Sequence, residues 1–534
     1  MPATPPTSAE QIGQYYDAVP YVSHPFPQTA IEHLEALAAL FGLETPLPAR
    51  ARVLELGCAS GGNLVPMAAR NPQAQVLGVD LSAVQISAGQ ELLARVHVPN
   101  AELRTLSITD IDAGLGEFDY IICHGVYSWV PAEVQTAILR VCRQNLAPDG
   151  VAYVSYNVYP GWKAREIVRD AMILRGGPRD APDEKLSYAR GMLEFLDQSA
   201  RPDSVLKKTL DETLPIVRSS NTSYLLHEFL EPCNSPCYFK EFVARAGEQG
   251  LAYLCDAEPS TMFVQNYGEK VREPLLRECG GSQLMMEQYL DFLVNRTFRQ
   301  SLLVHQARHA DVRYRLDRDR LRQLHYAGVF AAKDGAPITV DAQPQACTAL
   351  RNHSLTLRLP VHKAVALELD RRYPATIDVA ALVAAVSARV GEPEAAVADL
   401  VLTMLEEMLI LGAVRVRRQP LMVAAEVSAT PLASHLVRQA PGVDVGAGPD
   451  ATVCNQWHEL VALTALERTL LPCLDGAHDA AQLLDHVLAE VRAGRLRFFK
   501  DQQPVTEGAA VEAIAREQVG VALHQLRRKG LLIA

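Results

Sequence analysis

Between Arg52 and Tyr156, short apolar runs alternate with amphipathic stretches long enough to be helices. The runs at 52–57, 75–81, 102–108, 118–125 and 150–157 predict five strands, the last following a Pro148-Asp149-Gly150 turn. Between them, 63–70, 83–95 and 133–145 carry apolar positions at helical spacing. Strict alternation of strand and helix predicts a doubly wound α/β fold, a parallel sheet with helices on both faces. Positions 52–56, 76–79 and 120–123 are almost wholly apolar, as strands buried on both faces are.

Residues 161–250 are mostly helical in pattern, with Pro and Asp breaks near 178–183 and 202–203. Two further strands are expected at 250–258 and 260–267, joined by a turn at Pro259. They either complete the sheet begun at Arg52, with the helical stretch inserted, or form a separate small α+β unit. Residues 280–310 read as an amphipathic helix or helix pair. A repeat follows: 364–386 with 398–417 resembles 466–488 with 517–533. Each copy runs helix, turn, helix, helix and short apolar strand, a winged-helix-like order. Stretches rich in Pro, Ala and Gly near 334–345 and 425–450 predict linkers. The expected units are therefore 1–165, 166–330, 335–420 and 425–534.

Composition narrows the function. With 49% hydrophobic and 21% charged residues in 534, the chain is an ordinary globular protein. Fifty-one Lys and Arg against 62 Asp and Glu give a net charge of −11, and no basic block stands out. Arg527, Arg528 and Lys529 close the second repeat, but the third helix of the first carries Glu406 and Glu407. Phosphate binding needs clustered cations, so no nucleic-acid partner is expected. Ten cysteines are too few for a disulfide-stapled domain. The start of the chain lacks a basic and apolar leader, and no run of about 18 residues is apolar enough to span a bilayer. A cytoplasmic protein without membrane insertion is expected. No metal is expected either, because Cys233, Cys237 and His227 lack zinc-ligand spacing.

The chemistry is carried by the turn after the first strand, Glu55-Leu56-Gly57-Cys58-Ala59-Ser60-Gly61-Gly62-Asn63. Glycines there let a backbone approach a ligand closely. Dinucleotide sites share this design, but three details point elsewhere. An acid stands two residues before Gly57, Ala59 takes the place of the second glycine, and Asn63 follows Gly62 where a third would stand. Asp80, at the end of the second strand, lies where a carboxylate can accept hydrogen bonds from both ribose hydroxyls.

This constellation resembles the class I S-adenosylmethionine (AdoMet)-dependent methyltransferases, with VLGVDLS (76–82), LSITDID (106–112) and LAPDGVAYVS (146–155) matching further motifs. The resemblance implies a Rossmann-like sheet with AdoMet as cofactor. Gly57, Cys58 and Gly61 would line its methionine part, Asp80 and Leu81 would hold the ribose and one adenine face, and Ser107 and Ile108 would contact adenine. Tyr16, Tyr21, Glu55, Asn63, Gln85 and His124 complete the expected cofactor set, His124 by its backbone. Outside the core, YYDAVPYVSHPFPQT (15–29), HGVYSWVP (124–131), SYNVYPGW (155–162), 225–258 and 287–305 are similar to a subgroup with a methyltransferase regulatory domain. That subgroup includes the rickettsial protein lysine methyltransferases that modify an outer-membrane protein. The similarity covers nearly the whole chain and implies a homodimer.

Residues 15–29, rich in aromatics and proline, are expected to form a lid that excludes water during methyl transfer. Tyr127 and Trp129 follow the fourth strand, and Tyr156, Asn157 and Trp162 follow the fifth, at the strand ends where open α/β sheets bind ligands. These five are the expected acceptor-pocket residues, since aromatic faces attract a sulfonium or an ammonium. Removing the proton of a lysine with a pKa near 10.4 requires about 4–5 kcal/mol at neutral pH, and a dry aromatic pocket lowers that requirement. A protein lysine is thus the leading acceptor. The alternatives are a small-molecule acceptor and a non-catalytic AdoMet-binding interaction protein.

Overall fold

The computed structural model describes residues 23–179, 181–219, 222–231, 233–439, 452–500, 503–505 and 508–534. Five strands form where the apolar runs lie: β1 (Arg52–Leu56), β2 (Gln75–Asp80), β3 (Ala101–Thr105), β4 (Phe118–Cys123) and β5 (Leu146–Asn157). All five pair in parallel, in the order β3-β2-β1-β4-β5. The order reverses between β1 and β4, which opens a crevice at their carboxyl ends. Leu54, Leu56, Ile121 and Ile122 are fully buried, so the sheet is covered on both faces.

Two more strands close the sheet, β6 (Leu251–Asp256) and β7 (Phe298–His305), in the order β5-β7-β6. β7 is antiparallel to both neighbours, Tyr153 facing Leu302 and Leu251 facing His305. This corrects two expectations. Residues 260–267 are not a strand: after Pro259 they coil into the short turns Pro259–Thr261 and Val264–Tyr267, where Asn266 Nδ2 donates to the Ser260 and Ile410 carbonyls. The partner of β6 is instead the second half of the expected 280–310 helix. The helix stops at Leu293, Asn295 takes a left-handed φ of 49°, and FRQSLLVH extends into β7.

The helices Gly161–Gly176, Pro182–Ser199, Val205–Ser219 and Thr222–Phe229 lie in the chain between β5 and β6 and share their own core of Val168, Met172, Leu193, Leu210, Leu225 and Phe229. Beyond β7, the helices Pro360–Arg372, Val379–Val390 and Glu394–Leu411 pack with a three-stranded sheet of 377–378, 325–327 and 415–417. Their core runs continuously into that of the main sheet. The order of three helices returns at Ala465–Leu470, Ala480–Arg492 and Gly508–Arg528, around a separate core of Leu470, Leu483, Val487 and Leu526. A hairpin of Thr452–Cys454 and Leu460–Ala462 precedes this second set. Most of the expected 425–450 linker, from 440 on, lies outside the described residues.

Candidate active site

The crevice at the switch between β1 and β4 holds a cavity of about 460 Å³. One end is built by the turn after β1. Gly57 has φ 73°, and a Cβ there would stand 2.5 Å from Val126 Cγ2, so only glycine fits. Ala59 adopts φ 48°, the left-handed backbone that a glycine would take without strain. Asp80 Oδ2 accepts the Ala59 amide at 2.8 Å and Oδ1 accepts the Ser82 amide at 2.9 Å, which fixes the carboxylate at the cavity wall.

Glu55 also lines the cavity, only 4% exposed. Its Oε1 accepts from Asn63 Nδ2 at 2.8 Å, while Oε2 is buried with no protein partner. Burial pushes its pKa up to about 8 against the Asn63 hydrogen bond, with the nearby Asp80 charge adding to the rise. Gln85 Oε1 is a second buried atom on this wall without a protein partner. Leu81, Leu106, Ile108 and Val134 supply an apolar stretch beside them, with Ser107 at its edge. An AdoMet-sized ligand fits this donor set. A planar base suits the apolar stretch, vicinal hydroxyls suit Asp80, and a cationic N–H donor suits the orphaned Glu55 oxygen.

His124 forms part of the wall. Its Nδ1 lies 2.8 Å from the Tyr153 hydroxyl, which donates to Gln300 Oε1 at 2.7 Å. The single hydroxyl proton is thereby committed, so Nδ1–H is the donor and Nε2 the bare nitrogen. Burial holds the ring neutral, lowering its pKa to about 3, and the Phe26 ring lies tilted against it, the centroids 3.9 Å apart. Phe26 belongs to the described part of the expected lid. Gly62 N–H donates to Ser23 Oγ at 2.9 Å and Phe26 N–H to Asn63 Oδ1 at 2.9 Å, which lays residues 23–26 over the glycine-rich turn. A Cβ on Gly62 would come within 2.3 Å of the Ser23 carbonyl oxygen. Tyr16 and Tyr21 lie outside the described residues.

The other end of the cavity carries Trp129, Asn157 and Trp162, joined by Arg165, Tyr224, Glu228, Glu231 and Phe298. The two tryptophan rings meet edge to face at 6.0 Å. Asn157 Nδ2 donates to Asn234 Oδ1 at 3.0 Å, and Ser128 Oγ accepts the Asn157 amide at 2.8 Å. Glu228 lies 3.6 Å from Arg165, and burial raises the Glu228 carboxyl above its ordinary range despite that arginine. His227 Nδ1 stands 3.4 Å from Glu231 Oε2.

The structure brings Glu55, Gly57, Cys58, Asn63, Asp80, Leu81, Gln85, Ser107, Ile108, His124, Trp129, Asn157 and Trp162 to this one cavity. Three expected residues lie elsewhere. Tyr127 and Tyr156 are fully buried behind it: Tyr156 stacks on Phe242 at 3.8 Å and bonds Ser301 Oγ at 2.9 Å, while Tyr127 packs edge-on against the same Phe242 at 5.3 Å. A short turn over Tyr127–Trp129 sends the first ring inward and the second into the cavity. Gly61 (φ 78°) faces Leu103 and Val65 and serves the turn. Sequence reasoning missed Arg165, Tyr224, Glu228, Glu231 and Phe298. They come from the helical insertion and β7, and the only local signal was a pair of acids three apart.

Comparison with known proteins accords with this geometry. Residues 54–152 match a methyltransferase domain, 221–305 a predicted methyltransferase regulatory domain, and 430–531 a PKMT C-terminal winged helix domain. An uncharacterised protein of Rickettsia prowazekii is 30% identical over 500 residues, covering 92% of this chain and 88% of its own. A second protein of that organism is 38% identical over 240 residues, covering 45% of this chain and 96% of its own. The solved structure of PKMT2 from Rickettsia typhi superposes with a TM-score of 0.86 at 27% identity, over 96% of this chain and all of the other. The same protein in complex with AdoHcy superposes with a TM-score of 0.85.

Proposed function

The chain belongs to the AdoMet-dependent methyltransferases that carry a regulatory domain and a PKMT winged-helix domain, and from that premise we propose that it methylates lysine side chains of a protein. AdoMet supplies an electrophilic methyl group on a sulfonium. Glu55, Asp80, Leu81, Gln85, Ser107 and Ile108 would hold it at one end of the cavity, with the backbone of Gly57 and Cys58 beneath.

A single observation carries the choice of acceptor. Away from the glycine-rich turn the same cavity is lined by Trp129, Trp162, Tyr224 and Phe298 together with the carboxylic residues Glu228 and Glu231. A flexible aliphatic chain ending in an ammonium is the side chain that such an end suits. The rings cover its methylenes and attract its charge, and the carboxyls draw the cation in. Burial among rings lowers the amine pKa, and Glu228, itself a weakened acid, is the candidate to take up the proton. Asn157, held by Ser128 and Asn234, would orient the free amine. Phe26 and His124 close the wall and keep water out.

The acceptor lysine is read as lying on a protein, with an outer-membrane protein the candidate by the family resemblance. The two units after β7 are large for a metabolite enzyme and suit a macromolecular substrate. We read the enzyme as a cytoplasmic homodimer. Among the described residues no helix is long and apolar enough to cross a membrane. The test is transfer of tritiated methyl from AdoMet into bacterial lysate, split into protein and small-molecule fractions. Label on lysine in a protein band supports the reading. Label confined to small molecules overturns it.

A further inference from the structure

The hairpin of Thr452–Cys454 and Leu460–Ala462 belongs to the C-terminal winged-helix unit, yet its turn reaches into the cofactor end of the catalytic domain. His458 stands in that turn, fully buried, with a left-handed φ of 63°. A side chain in that conformation persists where its surroundings over-determine it. Here Asn455 Oδ1 accepts the amides of Trp457 and Glu459, each at 2.9 Å, and Trp457 Nε1 donates to the Pro374 carbonyl at 3.0 Å.

The imidazole spans the boundary between the two units. Arg70 Nη1 lies 2.9 Å from His458 Nδ1, and a guanidinium only donates, so Nδ1 is the acceptor and the ring proton sits on Nε2. That Nε2–H donates to Asn63 Oδ1 at 2.8 Å. The same Asn63 oxygen receives the Phe26 amide, and its Nδ2 donates to Glu55 Oε1. Asn63 is 2% exposed, so its amide has no water to exchange with. One ring from the C-terminal unit thus joins the Phe26 amide and the Thr29 hydroxyl, 3.0 Å away, on the Asn63 oxygen, and with them holds the Asn63 amide the way round it sits. That orientation aims the cavity carboxyl and pins the lid.

We propose that His458 is a positioning residue of the cofactor site, through which docking of the C-terminal winged-helix unit shapes the cavity for AdoMet. The accessory unit is then part of the binding site as well as a surface for other proteins. The proposal rests on the cofactor assignment and not on the identity of the acceptor, so failure to find lysine methylation leaves it standing.

The test compares His458→Phe with His458→Gln in the full-length protein. Phenylalanine keeps the bulk and loses the donor, whereas glutamine offers an N–H at nearly the same reach. Calorimetry with AdoHcy should show about tenfold weaker binding for His458→Phe and, for His458→Gln, an affinity within about twofold of the parent. In the cofactor-free protein, hydrogen exchange at the Phe26 amide should quicken in His458→Phe and not in His458→Gln. Parent-like affinity in His458→Phe overturns the proposal. So does an equal loss in both variants, which would reduce His458 to packing. Should His458→Phe fail to fold, His458→Gln decides alone: retained affinity supports the proposal and a tenfold loss overturns it.

Discussion

Asp80 and Ala59 are joined by a 2.8 Å hydrogen bond from the Ala59 amide to Asp80 Oδ2, across the gap between the end of β2 and the glycine-rich turn. The carboxylate that faces the cavity therefore also holds the turn that we propose carries the cofactor. Asp80→Ala removes both. Each charge-assisted hydrogen bond to a ribose hydroxyl is worth about 1.5 kcal/mol or more, so AdoHcy affinity should fall at least ~100-fold by calorimetry. Unchanged affinity would sink the assignment of this end of the cavity.

Ala59 itself makes a second prediction. Its φ of 48° is disfavoured for any residue with a Cβ, by about 1 kcal/mol. Glycine relieves that strain and gives back part of the gain through a looser unfolded chain. Ala59→Gly should raise stability by about 0.5 kcal/mol with cofactor affinity unchanged, read from denaturant midpoints. A clear loss of stability would show that the methyl group packs.

Glu55 predicts a proton count. Buried beside Asp80, its carboxyl titrates near 8 in the free protein and is therefore mostly neutral at pH 7. A cationic amino group brought against the orphaned Oε2 favours the ionised form and lowers that pKa. AdoHcy binding at pH 7 should release a fraction of a proton, and affinity should climb from pH 6 to about 8 and then level. Calorimetry in buffers of different ionisation enthalpy measures the release, which Glu55→Gln should abolish. Proton uptake would contradict the direction argued here.

The acceptor end predicts a split between binding and turnover. Trp129→Ala removes one ring of the 6.0 Å edge-to-face pair with Trp162 and opens the wall, without touching Asp80 or Glu55. Methyl transfer should drop ~10–100-fold, the range for a lost orienting or desolvating contact, while AdoHcy affinity stays within about threefold. Equal losses in both would place Trp129 at the cofactor instead.

What the sequence could and could not show follows from the range of each interaction. Strands β1, β2, β4 and β5 announced themselves because burial on both faces demands near-continuous apolar runs, whereas β3, at the sheet edge with Leu103 alone buried, showed mainly through its place in the strand–helix alternation; Gly57 and Asp80 were legible because the turn chemistry is local. β7 was hidden because its pairing partners, β5 and β6, are both distant in the chain, and FRQSLLVH continues the amphipathic pattern of the helix before it. Tyr127 and Trp129 share a turn at a strand end, and position alone cannot say which side chain turns toward Phe242. Glu228, Glu231 and His458 reach the site only through tertiary folding, from 70 or more residues beyond Asn157.

The last prediction concerns Glu35, buried in the helix Ile31–Leu40 at 1% exposure, with Oε1 lacking a protein partner. Burial raises its pKa from the usual 4.5 to about 7, against the attraction of Arg418 and helped by Glu32. A folded pKa above the unfolded one means the folded state binds the extra proton between those values. The stability tied to Glu35 is therefore fully present below about pH 4.5 and is lost as pH rises through 7. Glu35→Gln keeps the shape and cannot ionise. At pH 8 it should be more stable than the parent by roughly 3 kcal/mol, and at pH 5 the gain should shrink to about 1 kcal/mol or less. Urea unfolding at the two pH values measures the difference. A gain of the same size at both would mean that Glu35 is already ionised in the native protein at pH 5, and that its burial is relieved by a partner.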